Sequence, residues 1–250
     1  MKILHVADLH YSLKHYDWLL KIADRYDVVV IAGDLLDIVS PVNQPTQILV
    51  VQKYIKRLVA QTKLIVSSGN HDGNSRNDGD ESRAEWLARS RSSGAYVDGE
   101  CLDLDGTLFT ICPWWDGPIS RAQVNNQLEN DAHKPKSRWI WVHHAPPQDS
   151  PTSWTRKGHF GDDNLHAKIE EYQPDFVLSG HIHQAPFNAG GSWIDQIGKT
   201  WVIQNGKAIG DFPAHAVLDL DANVVAWISP YDTGQVDLTK PLAGQLSPVT

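Results

Sequence analysis

Cysteine, basic charge and long apolar runs are all scarce in this chain, and each shortage removes a class of explanation. Two cysteines in 250 residues, Cys101 and Cys112, are too few for a disulfide framework or a zinc ribbon. They flank a predicted hairpin, with strands near 101–104 and 107–112 and a turn at Asp105-Gly106, and read as small apolar strand residues. Low cysteine use fits a reducing cytosol, so a cytoplasmic location is the expectation. Lys and Arg number 22 against 30 Asp and Glu, a net charge of −8. A protein that grips nucleic acid by its phosphates usually carries a basic balance or stripe. Nucleic acid is therefore not favoured as a partner, although bound metals would add local positive charge. No apolar stretch is long enough to span a membrane. The opening run Met1-Lys-Ile-Leu-His-Val-Ala-Asp8 reads as a strand and lacks a signal-peptide layout. Repeats, low-complexity tracts and linkers are missing too. The expectation is one domain over 1–238 with a polar, proline-bearing tail at 239–250.

What is present is alternation. With 41% hydrophobic residues the chain can bury one substantial α/β core. Ile3 to Ala7 reads as a strand, Lys14 to Arg25 as a helix with Trp18, Leu19, Ile22 and Ala23 on one face, and 27–32 as a strand buried on both sides. Thr46 to Ala60 has helical period and Leu64 to Ser67 is a third strand. That order implies right-handed crossovers and a parallel sheet. The middle reads as a loop over 73–79, a short helix over 81–90, the cysteine hairpin, a Trp114-Trp115 loop and a polar helix over about 118–132. A strand at 138–142, a long loop over 145–160, a helix at 163–172 and a strand at 175–179 follow. Further strands are expected at 200–204, 213–219 and 223–229.

The chemistry sits where the apolar runs stop. Asp8 and His10 follow the first strand, and Asp34 follows Val28 to Gly33. Asn70 and His71 follow Leu64 to Gly69, His143 and His144 follow Trp139 to Val142, and His181 and His183 follow Phe176 to Gly180. In a parallel sheet such ends share one edge, the edge where open α/β folds collect ligands. A lone histidine at a strand end is ordinarily a polar terminus. Ligand-type residues in five ordered clusters are not ordinary. Carboxylate, amide oxygen and imidazole, with no sulfur, suit manganese, iron or zinc better than copper(I) or magnesium alone.

Together Asp8-Leu-His10, Gly33-Asp34, Gly69-Asn-His-Asp72, His143-His-Ala-Pro146 and Gly180-His-Ile-His183 resemble the calcineurin-like metallophosphoesterase family, in the family's order, over roughly residues 1–185. The resemblance implies an α/β fold, a four-layer αββα sandwich of two mixed β-sheets. It implies two divalent or trivalent metal ions (Mn, Fe or Zn): Asp8, His10 and His183 on the first, Asn70, His143 and His181 on the second, and Asp34 bridging. His71 is then a substrate-facing catalytic residue that stabilises the phosphate or protonates the leaving oxygen. Asp72 is expected to fix the His71 tautomer or simply to cap its loop, and His144 to be a pocket or outer residue. The implied reaction is hydrolysis of a phosphate ester, first a phosphodiester of small or medium size, by a metal-bridging hydroxide attacking phosphorus in line. The pair His181 and His183 would straddle the two ions.

Other candidates are weaker. Trp114, Trp115 and Trp154 lie in predicted loops near that edge, placed to stack a ring or to pack under the loops. Arg156 and Lys157 are placed to meet a phosphate or to be plain surface charge, and His159 is a pocket candidate. His5 is expected to face a helix, and His15, His133, His166 and His215 to be surface or packing residues. A DNA-repair-type nuclease of the same superfamily is the second enzyme reading. A non-catalytic scaffold on the same fold, like the retromer subunit, is the alternative from another class, but such proteins lose site residues and here every motif position is filled. The sequence does not set the oligomeric state.

Overall fold

In the computed structural model, which describes residues 1–243, the elements run β1 (Lys2–Val6), α1 (Leu13–Ile22), β2 (Val28–Ala32), α2 (Gln44–Val59), β3 (Lys63–Ser67), β4 (Ser75–Arg76), β5 (Ser82–Arg83), α3 (Glu85–Ala88), β6 (Tyr96–Val97), β7 (Cys101–Leu104) and β8 (Thr107–Ile111). They continue with α4 (Pro118–Ala132), β9 (Arg138–Val142), α5 (Asp163–Tyr172), β10 (Phe176–Ser179), β11 (Ile194–Ile197), β12 (Thr200–Gln204), β13 (His215–Asp219), β14 (Val224–Ile228) and β15 (Thr233–Asp237). One sheet has the order β15-β14-β13-β1-β2-β3-β6 and the other β11-β12-β10-β9-β8-β7. Both are mixed. β1, β2, β3 and β6 are parallel while β13 runs against β1. β8, β9, β10 and β12 are parallel while β7 and β11 run against their neighbours.

Strand alternation builds the layers. Ile3, Val28, Val30 and Ile65 point inward and meet Phe109, Ile140, Leu178 and Ile203 from the second sheet. The intervening Leu4, Val29 and Ile31 pack outward against Leu19, Val51 and Ile55 of α1 and α2. On the far side Trp139, Trp141 and Val177 pack against Val124, Leu128, Leu165 and Ile169 of α4 and α5. The result is helix, sheet, sheet, helix. Each fully buried aliphatic or aromatic side chain contributes about 1.5–3 kcal/mol relative to exposure, so these three packed interfaces hold the two sheets in one fixed relation.

The departures from the sequence reading have local causes. The helix expected over 81–90 starts later, after the β4–β5 hairpin, as the single turn of α3 continued by a 3-10 turn over Arg89–Ser93. Glu81 is drawn away from any helix because its carboxylate accepts from Ile119 N and Ser120 N, both at 2.7 Å, and so caps α4 across the chain. Those bonds hold the Glu81 carboxyl down at about 2 against its burial. His5 does not face a helix. It alternates with Leu4 and Val6, lies fully buried between the sheets, and burial pushes its imidazole down to about 3. β6, β11 and β15 are too short or too polar to show as apolar runs. At the chain end Leu242 packs on the inner core and its amide donates to Gln196. The rest of the expected tail, 244–250, lies outside the described residues.

Candidate metal centre

Five strand ends converge, three from one sheet and two from the other. After β1 the chain turns so that Asp8 N donates to Gly33 O, His10 N to Asp34 O and Tyr11 N to Leu35 O. The loops leaving β1 and β2 therefore brace each other. Asp8, His10, Tyr11, Asp34 and His181 all adopt positive φ, between 42° and 71°. Non-glycine residues rarely sit there, and such conformations gather where function holds them. Close approach also demands glycine. A Cβ on Gly69 would lie 2.2 Å from Asp34 Oδ1, and one on Gly33 would lie 2.3 Å from His144 Nδ1.

Asp8, His10, Asp34 and His183 offer ligand atoms that all lie within 4.8 Å of one another. His10 Nε2 faces His183 Nε2 at 2.9 Å. Asp8 Oδ1 lies 3.3 Å from His183 Nε2, and Asp34 Oδ2 lies 3.4 Å from His10 Nε2. Burial would raise both carboxyls. Hydrogen bonds from His10 and His183 hold Asp8 well below the ordinary range, and the charge and hydrogen bond of His144 hold Asp34 down. Beside this cluster His181 Nδ1 meets Asn70 Oδ1 at 2.9 Å. The two histidines of Gly180-His-Ile-His183 thus part, His183 toward Asp8 and His10, His181 toward Asn70.

His143, expected on the second ion, lies away from the cluster. Its Nδ1 bonds to Ala145 O at 3.0 Å, its Nε2 points at Asp162 from 3.9 Å, and its ring lies edge-on to Trp115. It serves the buried layer under the loops. His144 is the residue that faces the centre, because strand alternation carries one imidazole inward and its neighbour outward. Its Nδ1 contacts Ala32 O at 2.7 Å, which makes Nδ1 the proton carrier and leaves Nε2 a bare lone pair. That Nε2 is buried, has no hydrogen-bond partner, and lies 3.4 Å from Asp34 Oδ2. A lone pair held against a carboxylate calls for a cation between them. Without a metal the proton fills that need: burial lowers the His144 pKa, but Asp34 raises it to about 9. The donor set and this orphaned nitrogen fit a metal ion.

Asp72 does not reach the His71 ring. Its carboxylate accepts from Leu36 N at 2.9 Å and Gly69 N at 2.8 Å, clasping the two loops, and burial with the nearby Asp34 pushes it up to about 8. His71 is oriented instead by the Ile38 amide, 3.4 Å from its Nδ1, which leaves Nε2 as the donor, 3.8 Å from Asp34 Oδ2. Burial lowers the His71 pKa, partly offset by Asp34. Asp37, which belongs to none of the sequence motifs, stands 3.9 Å from His71 Nδ1. Its spacing of three residues after Asp34 on the same exit is the signal that points to it.

Of the loop tryptophans, Trp114 faces the centre, with its ring 5.3 Å from His181 and 5.8 Å from His144. Trp115 is buried under Arg121, and Trp154 pins its loop by donating to Ala189 O. His159 braces the same loop through Ser150 O and Ser153 Oγ. His15 and His215 are buried packing residues, and His166 holds Gln148 O. No helix among the described residues is long and apolar enough to cross a membrane.

A profile of calcineurin-like phosphoesterases matches residues 1–185. No curated protein matches the sequence. Among solved structures, a Thermus thermophilus protein superposes with a TM-score of 0.60 at 12% identity, covering 95% of this chain and 98% of that one. A dimetal phosphatase from Danio rerio gives 0.59 at 11% identity, covering 95% and 99%. A purple acid phosphatase from yellow lupin (Lupinus luteus) seeds gives 0.57 at 12%, covering 96% of this chain but 52% of its own. At such identities the likeness is one of fold.

Proposed function

Because this chain belongs to the calcineurin-like phosphoesterase family, we propose that it hydrolyses a small or medium phosphodiester at a centre of two metal ions. The observation that carries the metal part is the His144 Nε2 lone pair held against Asp34 beside the Asp8, His10 and His183 cluster. Asp8, His10 and His183 would hold one ion. Asn70, His144 in place of His143, and His181 would hold the other, and Asp34, with two carboxylate oxygens, would join them. Asn70 adds a neutral oxygen, so the centre stays cationic enough for an anionic substrate. Bound ions of this kind polarise the phosphate and acidify the attacking water.

The chain's own groups do the rest. His71 Nε2 is placed to donate, either to a phosphate oxygen or to the departing alkoxide. The step balances as water oxygen bonding to phosphorus, the P–O ester bond breaking, and the alkoxide taking a proton. Two cavities border the cluster, one of about 310 Å³ lined by Ile38, Val42 and His71, the other of about 690 Å³ lined by His181, Ile182 and Gln184. Room at both His71 and His181 favours a phosphate with an organic group on each side. The test is a panel of mono- and diesters assayed with Mn, Fe and Zn. A higher kcat/KM on bis-p-nitrophenyl phosphate than on p-nitrophenyl phosphate supports the diester reading, and the reverse order rejects it.

A further inference from the structure

We propose that Arg156 and Lys157 form a subsite for a second phosphate of the substrate, so that the preferred ester carries another phosphate beyond the one hydrolysed. This rests on the phosphoesterase reading above. The cavity of about 690 Å³ has Arg156, Lys157 and Phe160 on one wall and Gln184 and Asn188 on another, and His181 links it to the metal cluster. A group held there therefore lies beside the reacting centre.

Two adjacent bases on the wall of the cavity that reaches His181, and their conformation, mark this tip. The chain is acidic, with a net charge of −8, and some of its bases pair with acids, as Lys134 does with Asp131, Arg91 with Glu100 and Lys168 with Glu171. Arg156 and Lys157 have no ion pair among the described residues and both are exposed. Two uncompensated cations next to a cationic centre repel it, a cost that an anionic ligand spanning both would remove. Guanidinium suits phosphate because its planar fork donates two parallel hydrogen bonds.

The tip is also held in place. Thr155 N and Oγ1 both donate to Gly158 O at 3.0 Å, closing the turn around the pair. Trp154 Nε1 donates to Ala189 O at 3.0 Å and fastens the loop to the cavity's other wall. Arg156 sits at φ 70°, where a glycine or asparagine would be easier. Keeping arginine at a strained position points to a use for its side chain. Phe160, 59% exposed on the same wall, offers a face for a ring carried by the substrate. These features together describe a small ester with a ring and a second phosphate.

Two matched chromogenic probes test this: thymidine 5′-(p-nitrophenyl phosphate), and the same ester bearing a 3′-phosphate. The wild-type protein is expected to show a KM roughly tenfold lower for the 3′-phosphorylated probe, and the advantage should shrink as salt rises. Arg156→Gln with Lys157→Gln should erase the advantage while leaving kcat/KM on the plain probe, and metal content, within about twofold. Thymidine 3′,5′-bisphosphate binding, followed by calorimetry, should weaken in that variant by the same factor. Equal KM values for the two probes in the wild type, equal losses on both in the variant, or stronger turnover of single-stranded DNA than of either probe would overturn the subsite. Failure to hydrolyse bis-p-nitrophenyl phosphate with any metal is a different result, which rejects the phosphoesterase reading and the subsite with it.

Discussion

On the floor of the centre, Asp8, His10 and Asp34 stand on backbone that neighbouring strands fix, through bonds such as Asp8 N to Gly33 O and His10 N to Asp34 O. On the rim, Arg156 and Lys157 stand on a turn closed by Thr155 and fastened by Trp154. The floor is shaped by close approach. Gly33 and Gly69 admit no Cβ, and His144 admits no rotation away from Ala32 O without losing its bond. The rim is an exposed turn that carries two bases and braces itself through its own loop. Reaction class therefore belongs to the floor and substrate choice to the rim.

The comparison breaks most visibly at His71, which stands between the two. His71→Ala should cut kcat by roughly 10²–10⁴-fold, the usual worth of a positioned proton donor, with metal content retained. Loss of metal in that variant would move His71 into the ligand set. The next effect separates two neighbours. His144→Ala should lose bound metal and at least the roughly 10–100-fold in activity that even outer-sphere changes cost. His143→Ala should keep its metal and most of its activity and instead lower the melting temperature, because it empties a buried site against Trp115 and Asp162. Elemental analysis and thermal melts of the pair check this, and the opposite pattern would restore His143 as the ligand.

Much of the floor is legible in the amino-acid sequence. Each cluster follows an apolar run, and five such runs in one order leave little freedom in where their ends meet. What the sequence does not resolve is which of two adjacent residues points inward. His143 and His144 differ only in strand phase at an exit, and the choice is made by tertiary partners, Ala32 O for one and Ala145 O for the other. Asp72 shows the same limit, since its clasp on Leu36 and Gly69 joins two loops 36 and 3 residues away. The helix expected over 81–90 starts only at Glu85 because Glu81 spends its carboxylate on α4, 39 residues on, a bond with no local sequence pattern. The rim is least legible of all, as Trp154 and His159 take structural work that their loop setting does not announce.

At Glu81 the charge bears on stability alone. Its carboxyl is held down at about 2 against an ordinary 4.5. The stabilisation is thus fully present above about pH 4.5 and is lost as pH falls through about 2. Glu81→Gln should melt several degrees below the wild type at pH 7, with the gap closing between about pH 4.5 and 2. A gap that stays constant across that range would remove the charge from the cap.

Metal content measured alongside turnover decides whether the strand-exit cluster is a working metal centre. The wild-type protein should carry about two Mn, Fe or Zn ions per chain, lose hydrolysis of bis-p-nitrophenyl phosphate on chelation, and regain it when metal is returned. Protein that binds none of these metals above background, or that hydrolyses the ester equally well after chelation, would contradict that role.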